Sequence, residues 1–250
     1  MEYLMSSPVW FSPIYSSKAQ STRRAFGTSF KGVVDYLEYF TLEKEFLERP
    51  VRGKEPSRIG EIRDKIIPFK NKRLGFYPIP LENAPTALYG YKLSPKIHPT
   101  FPGFFKTNDS LVVTEECKAL LQQFNLGENF QFFPVPLYDA ATNQPVNNET
   151  YYVMSIADWR SFLMPEFCEG RIKDRDVLKD GYNIYALPYG DEFDNAIALS
   201  SEASNCDLDL WHDPALSCSL FMSDRLKQAL EQAGFLANFH ICATKLIHKS

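Results

Sequence analysis

At 250 residues and 28.7 kDa the chain can bury a core without disulfide or metal staples, which excludes a disulfide mini-protein. Its 44% hydrophobic and 23% charged residues are those of a folded globular protein rather than a disordered one. The formal net charge of −4 conceals an asymmetry: residues 1–100 carry 16 Lys or Arg against 10 Asp or Glu, a balance of +6, and residues 101–250 carry 11 against 21, a balance of −10.

No run approaches the ~18 apolar residues of a bilayer span, and MEYLMSSPVWFSP has neither a basic n-region nor a continuous apolar h-region. Five widely spaced cysteines, an odd number without a Cys-x-x-Cys pair, favour a reducing compartment. A cytoplasmic protein is therefore expected, with no membrane partner.

Taken in chain order, residues 30–48 place Phe30, Val33, Val34, Leu37 and Phe40 at helical spacing, although their β-branched and aromatic content leaves a strand possible. The basic residues between Arg49 and Arg73 are interleaved with Glu48, Glu55, Glu61 and Asp64. This is the pattern of a solvated face and, with a pI near 5.7, argues against nucleic-acid binding. Seven of the 17 prolines fall between Pro68 and Pro102, so this stretch is expected to be extended or turn-rich. Residues 139–150, DAATNQPVNNET, read as a polar hairpin-type loop, and residues 151–156, 182–189 and 196–199 as strands.

The most specific signal is internal. Residues 110–137 align without a gap on residues 219–246 at an offset of 109, with eight of 28 positions identical, among them Lys118/Lys227, Leu121/Leu230, Asn129/Asn238 and Phe130/Phe239. Each segment opens on a β-prone run, Ser-Leu-Val-Val or Ser-Leu-Phe-Met. A helix-capping hydroxyl follows, Thr114 or Ser223, and then an acid, Glu115 or Asp224, at the positive end of the helix dipole. Apolar residues recur at helical spacing, Cys117, Leu120, Leu121 and Phe124 in one and Leu226, Ala229, Leu230 and Ala233 in the other. Gly127 and Gly234 supply stop signals, and alternating strands follow. The fold expected is α+β: a mixed β-sheet with packed helices, containing two copies of a strand-helix-strand unit. Residues 1–105 are expected to form a basic, Pro-rich part packed on the duplicated domain, residues 106–250.

Catalytic motifs are scarce. The sequence contains no Walker loop, Gly-x-Gly-x-x-Gly, Gly-x-Ser-x-Gly or His-Glu-x-x-His. Cys168 stands between Glu166 and Glu169, which raise a thiol's pKa. From Asp180 to Asp224 there are nine carboxylates and no Lys or Arg, a stretch whose field attracts a basic partner. Within it Asp207, Asp209, His212 and Asp213 are close enough in sequence to bind a divalent metal or form an acid/base pair. In an extended segment Asp207, Asp209 and Trp211 instead share one side, an acidic face with an aromatic anchor.

The run from Leu111 to Ile156, LVVTEECKALLQQFNLGENFQFFPVPLYDAATNQPVNNETYYVMSI, resembles the central signature of the eleventh immunity-protein family of bacterial polymorphic toxin systems. The shared pattern is a short strand, Ser or Thr, an acid, a helix, a Phe-x-Pro-Val strand, a polar loop and a Tyr-Tyr-Val strand. Residues 207–241, with DLDLWHD and LFMSDRLKQALEQAGF, resemble the second half of that family, with Ala237 standing where a further glycine is expected. The resemblance covers about residues 110–250.

It implies a cytosolic binding protein, without catalytic residues, cofactor or metal, that neutralises a cognate toxin delivered between competing bacteria by a contact-dependent or type VI route. A nuclease with a basic active-site surface is the partner that suits the acidic stretch. The residues expected to meet it are Asp191, Glu192, Asp194, Asp207, Asp209, Trp211, His212 and Asp213. The alternatives are a metal-dependent hydrolase built on Asp207, Asp209, His212 and Asp213, and an adaptor module of a secretion machine that binds through the Pro-rich arm.

Overall fold

A computed structural model describes residues 8–13, 26–32, 35–48, 58–61, 78–90, 101–107, 110–169, 172–179, 181–186, 194–217, 219–237 and 239–248. Among them the elements are, in chain order, β1 (Val9–Pro13), β2 (Phe26–Phe30), α1 (Tyr36–Glu48), β3 (Pro85–Gly90), β4 (Phe104–Lys106), β5 (Leu111–Thr114), α2 (Glu115–Leu121), β6 (Gln131–Val135), β7 (Leu137–Asp139), β8 (Gln144–Pro145) and β9 (Tyr151–Ser155). They continue with β10 (Lys173–Lys179), β11 (Tyr182–Ala186), β12 (Ala198–Ser200), β13 (Leu210–Trp211), β14 (Leu216–Ser217), β15 (Ser219–Ser223), α3 (Asp224–Gln232), β16 (Cys242–Ala243) and β17 (Lys245–Ile247). The fold is α+β, with mixed sheets and packed helices. Its chain divides into two compact units, neither of them a single stretch: Ser21–Lys118 with Gln131–Ser155, and Met1–Gln20 with Ala119–Phe130 and Ile156–Ser250.

In the first unit two four-stranded sheets, ordered β2-β3-β7-β8 and β4-β5-β9-β6, contribute to one apolar cluster. Register explains why it is continuous. Phe105 pairs with Val112, Val112 with Val153 and Val153 with Phe133, so one row of buried side chains crosses a whole sheet. Phe101 seals it, edge-on to both Phe26 and Tyr151.

The region read as helix or strand is both: Phe30 ends β2, Gly32 turns at φ +67°, and the helix starts at Tyr36. Asp35 caps it, its Oδ1 accepting from the Leu37 and Glu38 amides at 2.9 and 3.2 Å. Within the Pro-rich stretch Pro85 occupies the first position of β3, where its missing N–H costs the ladder least.

In the second unit one sheet is ordered β13-β15-β1-β16. Trp211 pairs with Phe221, Phe221 with Phe11 and Phe11 with Cys242, again a buried row. Here α3 is capped by Ser223, whose Oγ accepts from the Leu226 amide at 3.3 Å. Leu226 and Leu230 are buried, but Ala233, expected on the same stripe, is the exposed C-cap. Gly234, at φ +74°, closes the helix: its amide donates to the Glu231 carbonyl, and Phe235 N–H to that of Leu230.

Candidate functional site

The segment 207–213 runs from the surface into the core of the second unit. Asp207 is exposed and takes two hydrogen bonds from Arg160, from Nε at 2.9 Å and Nη2 at 2.6 Å. That guanidinium holds the Asp207 carboxyl below the usual carboxylate range.

Asp209 is buried and bonded on every side. Its Oδ1 accepts from Ser223 Oγ at 2.5 Å and Arg225 Nε at 2.6 Å, and its Oδ2 from the Asn125 amide at 2.8 Å and from Arg225 Nη2. Burial pushes this carboxyl up. The hydrogen bonds from Arg225, Ser223 and Asn125 outweigh that and leave it below its ordinary value. The Asp209 amide donates to the Asn125 carbonyl at 2.7 Å, and its own carbonyl accepts from the Ser223 amide at 3.0 Å. One residue thus ties β13 to the start of α3 and to the loop at Asn125.

Trp211 is 1% exposed, stacked on Phe221 with ring centroids 5.9 Å apart and edge-on to Phe162 at 6.3 Å. His212 is buried beside it, its carbonyl accepting from the Arg160 amide at 3.2 Å. Asp213 accepts from the amides of Phe162 and Leu163 at 2.7 and 2.8 Å on one oxygen, and from Ala215 at 2.9 Å on the other. Burial raises the Asp213 carboxyl above its ordinary value, against the lowering effect of those three amides.

The outward acidic face with an aromatic anchor is therefore corrected. Asp209, Trp211, His212 and Asp213 are all buried. Both residues of β13 are inside, and the two carboxylates turn inward because irregular backbone around them presents amide donors that need acceptors. Nor do the four side chains of the metal-site alternative converge. Asp209 and Asp213 give their oxygens to separate sets of donors, and among the described residues no three of His, Cys, Asp and Glu gather as a metal would require. Asp194 is exposed, its Oδ1 accepting from the Ala243 amide at 3.0 Å. Asp191 and Glu192 lie outside the described residues.

Cys168 sits under the Ala198 amide, which donates to its Sγ at 3.2 Å, and burial pushes its thiol up.

What the sequence reading missed lies beside Asp207. Trp159 is 45% exposed and edge-on to Tyr182, with ring centroids 5.6 Å apart. Arg160 Nη1 donates to the Trp159 carbonyl at 2.9 Å while its other nitrogens hold Asp207. An aromatic pair, an arginine and a carboxylate thus form one connected surface patch, of the residue types that dominate binding hot spots. The available signal was the adjacent Trp159-Arg160 pair in the loop after β9. Asp158 anchors that loop, accepting from the Asn129 amide and from its side-chain Nδ2, both at 2.8 Å.

No protein-family model matches the chain and no curated protein matches it.

Proposed function

We propose that this chain is an immunity protein that binds a cognate antibacterial toxin and blocks it by occlusion, protecting the cell that makes it. The observation that carries the reading is the patch of Trp159, Arg160, Tyr182 and Asp207, an aromatic and charged surface beside a segment whose remaining carboxylates, Asp209 and Asp213, are spent on the scaffold. The motif resemblance over residues 111–156 and 207–241 supports the same class. Contact with toxin through Trp159 and Tyr182 would supply the desolvated anchors of the interface. Exposed Asp194 and Glu202 favour a basic partner surface and raise the association rate.

Growth of a sensitive bacterium expressing the toxin encoded beside this protein tests the proposal. Co-expression of the chain restores growth, and Trp159→Ala weakens the rescue. Unrelieved killing by the wild-type chain contradicts it.

A further inference from the structure

The two segments aligned in the sequence lie in equivalent places in two different sheets, and the equivalence does not stop at their ends. In the first unit β9 lies between β5 and β6; in the second β1 lies between β15 and β16. Adding 109 to Val112 gives Phe221, and adding it to Phe133 gives Cys242. Val112 and Phe133 both pair with Val153, while Phe221 and Cys242 both pair with Phe11. Two independent pairings therefore put Phe11 in the place of Val153, with every strand direction preserved.

Side chains repeat what the backbone does. Tyr152, next to Val153, donates its hydroxyl to Glu115, and Lys118 lies over its ring 4.0 Å from the centroid. Trp10, next to Phe11, donates Nε1 to Asp224 at 2.8 Å, and Lys227 lies over its ring at 4.5 Å. Glu115 and Asp224, like Lys118 and Lys227, are 109 residues apart. Backbone register alone does not require an aromatic donor at this point of the middle strand.

The match extends outward on both sides. Edge strand β4 sets Phe105 against Val112 as β13 sets Trp211 against Phe221, and the Thr114 amide donates to Gly103 at 2.9 Å as the Ser223 amide does to Asp209 at 3.0 Å. Strand β7 runs parallel to β3 with Leu137 opposite Leu88, and β17 runs parallel to β12 with Leu246 opposite Leu199. Thr28 lies antiparallel on the far side of Leu88, and Leu163 likewise beside Leu199.

We infer that the chain consists of two complete copies of one unit, and that Val9–Pro13 is the last strand of the second copy, supplied from the opposite end of the chain. The first copy runs β2, β3, β4, β5, α2, β6, β7, β9. The second runs Leu163, β12, β13, β15, α3, β16, β17 and only then β1. The strand β1 meets the residue after β16 where this requires it: the Thr244 amide and hydroxyl donate to the Val9 carbonyl at 3.1 and 2.7 Å. The slot between β15 and β16 is a strand-binding site whose ligand is the protein's own N-terminal segment. Differences between copies mark what one has acquired alone. Asp209 stands where the first copy has Gly103 and Arg225 where it has Glu116, so their ion pair belongs to the second copy only.

A circular permutant tests this with every residue retained: residues 21–250 joined through a short Gly/Ser linker to residues 1–20, so that each copy runs without a break. It is expected to fold, with hydrogen-exchange protection of the β15 and β16 amides within about 3-fold of the natural chain. Loss of that protection at two linker lengths overturns the inference. In the natural chain, Trp10→Tyr installs the other copy's residue and is expected to keep protection in β15 and β16, whereas Trp10→Ala speeds exchange there by about 10-fold or more. Equal behaviour of the two variants overturns the inference.

Discussion

Asp209 and Asp213 are carboxylates four residues apart whose surroundings drive them in opposite directions. Asp209 is held below its ordinary value by Arg225, Ser223 and Asn125. Its contribution to stability is therefore complete above the unfolded carboxylate value of about 3.9 and is lost as pH falls through its folded value. Burial raises Asp213. Its contribution is complete below about 3.9 and is lost as pH rises through its folded value. Urea midpoints measured across pH are expected to show Asp209→Asn flattening the acid limb and Asp213→Asn flattening the decline on the other side. Asp213→Asn also turns an amide donor toward backbone N–H groups, at a cost of about 1–3 kcal/mol. Gly127 is constrained twice, by φ +96° and by the Asp158 carboxylate, whose Oδ2 lies 2.1 Å from where a Cβ would stand. Gly127→Ala is expected to cost about 1–3 kcal/mol in the same assay.

At the scale of the elements, β1 carries the one buried side-chain oxygen or nitrogen without a hydrogen-bond partner among the described residues, Ser12 Oγ. Ser12→Ala is expected to stabilise the protein by about 1 kcal/mol, a rise in melting temperature that calorimetry reads directly. The helix Asp224–Gln232 was legible because capping and helical periodicity are local: Ser223, Asp224, Leu226 and Leu230 do in the structure what their spacing foretells. Residues 151–155 were legible for the same reason. What escaped was long-range. Nothing near Asp209 in sequence announces Arg225 or Asn125, so an alternating Asp-Leu-Asp-Leu-Trp was read as a surface strand when its carboxylate is a buried junction. Strand β1 escaped too, because its partners Ser219–Ser223 and Cys242–Ala243 lie at the other end of the chain.

Over the whole molecule, the excess of positive charge in residues 1–100 and of negative charge in residues 101–250 does not describe two bodies, since both structural units draw on both parts of the chain. Among the described residues no helix is long and apolar enough to cross a membrane. The acidic stretch contributes exposed Asp194, Glu202 and Asp207, while Asp209 and Asp213 are internal. Electrostatic steering by the exposed acids predicts that association with toxin slows as salt rises, with dissociation changing less. Calorimetric titration of the purified chain with the product of the adjacent gene, the proposed toxin, is the most direct measurement. The account predicts one-to-one binding with a Kd of about 1 nM or below, weakened about 10- to 100-fold by Trp159→Ala with the melting temperature unchanged. Absence of binding at micromolar concentration, or full affinity in Trp159→Ala, contradicts it.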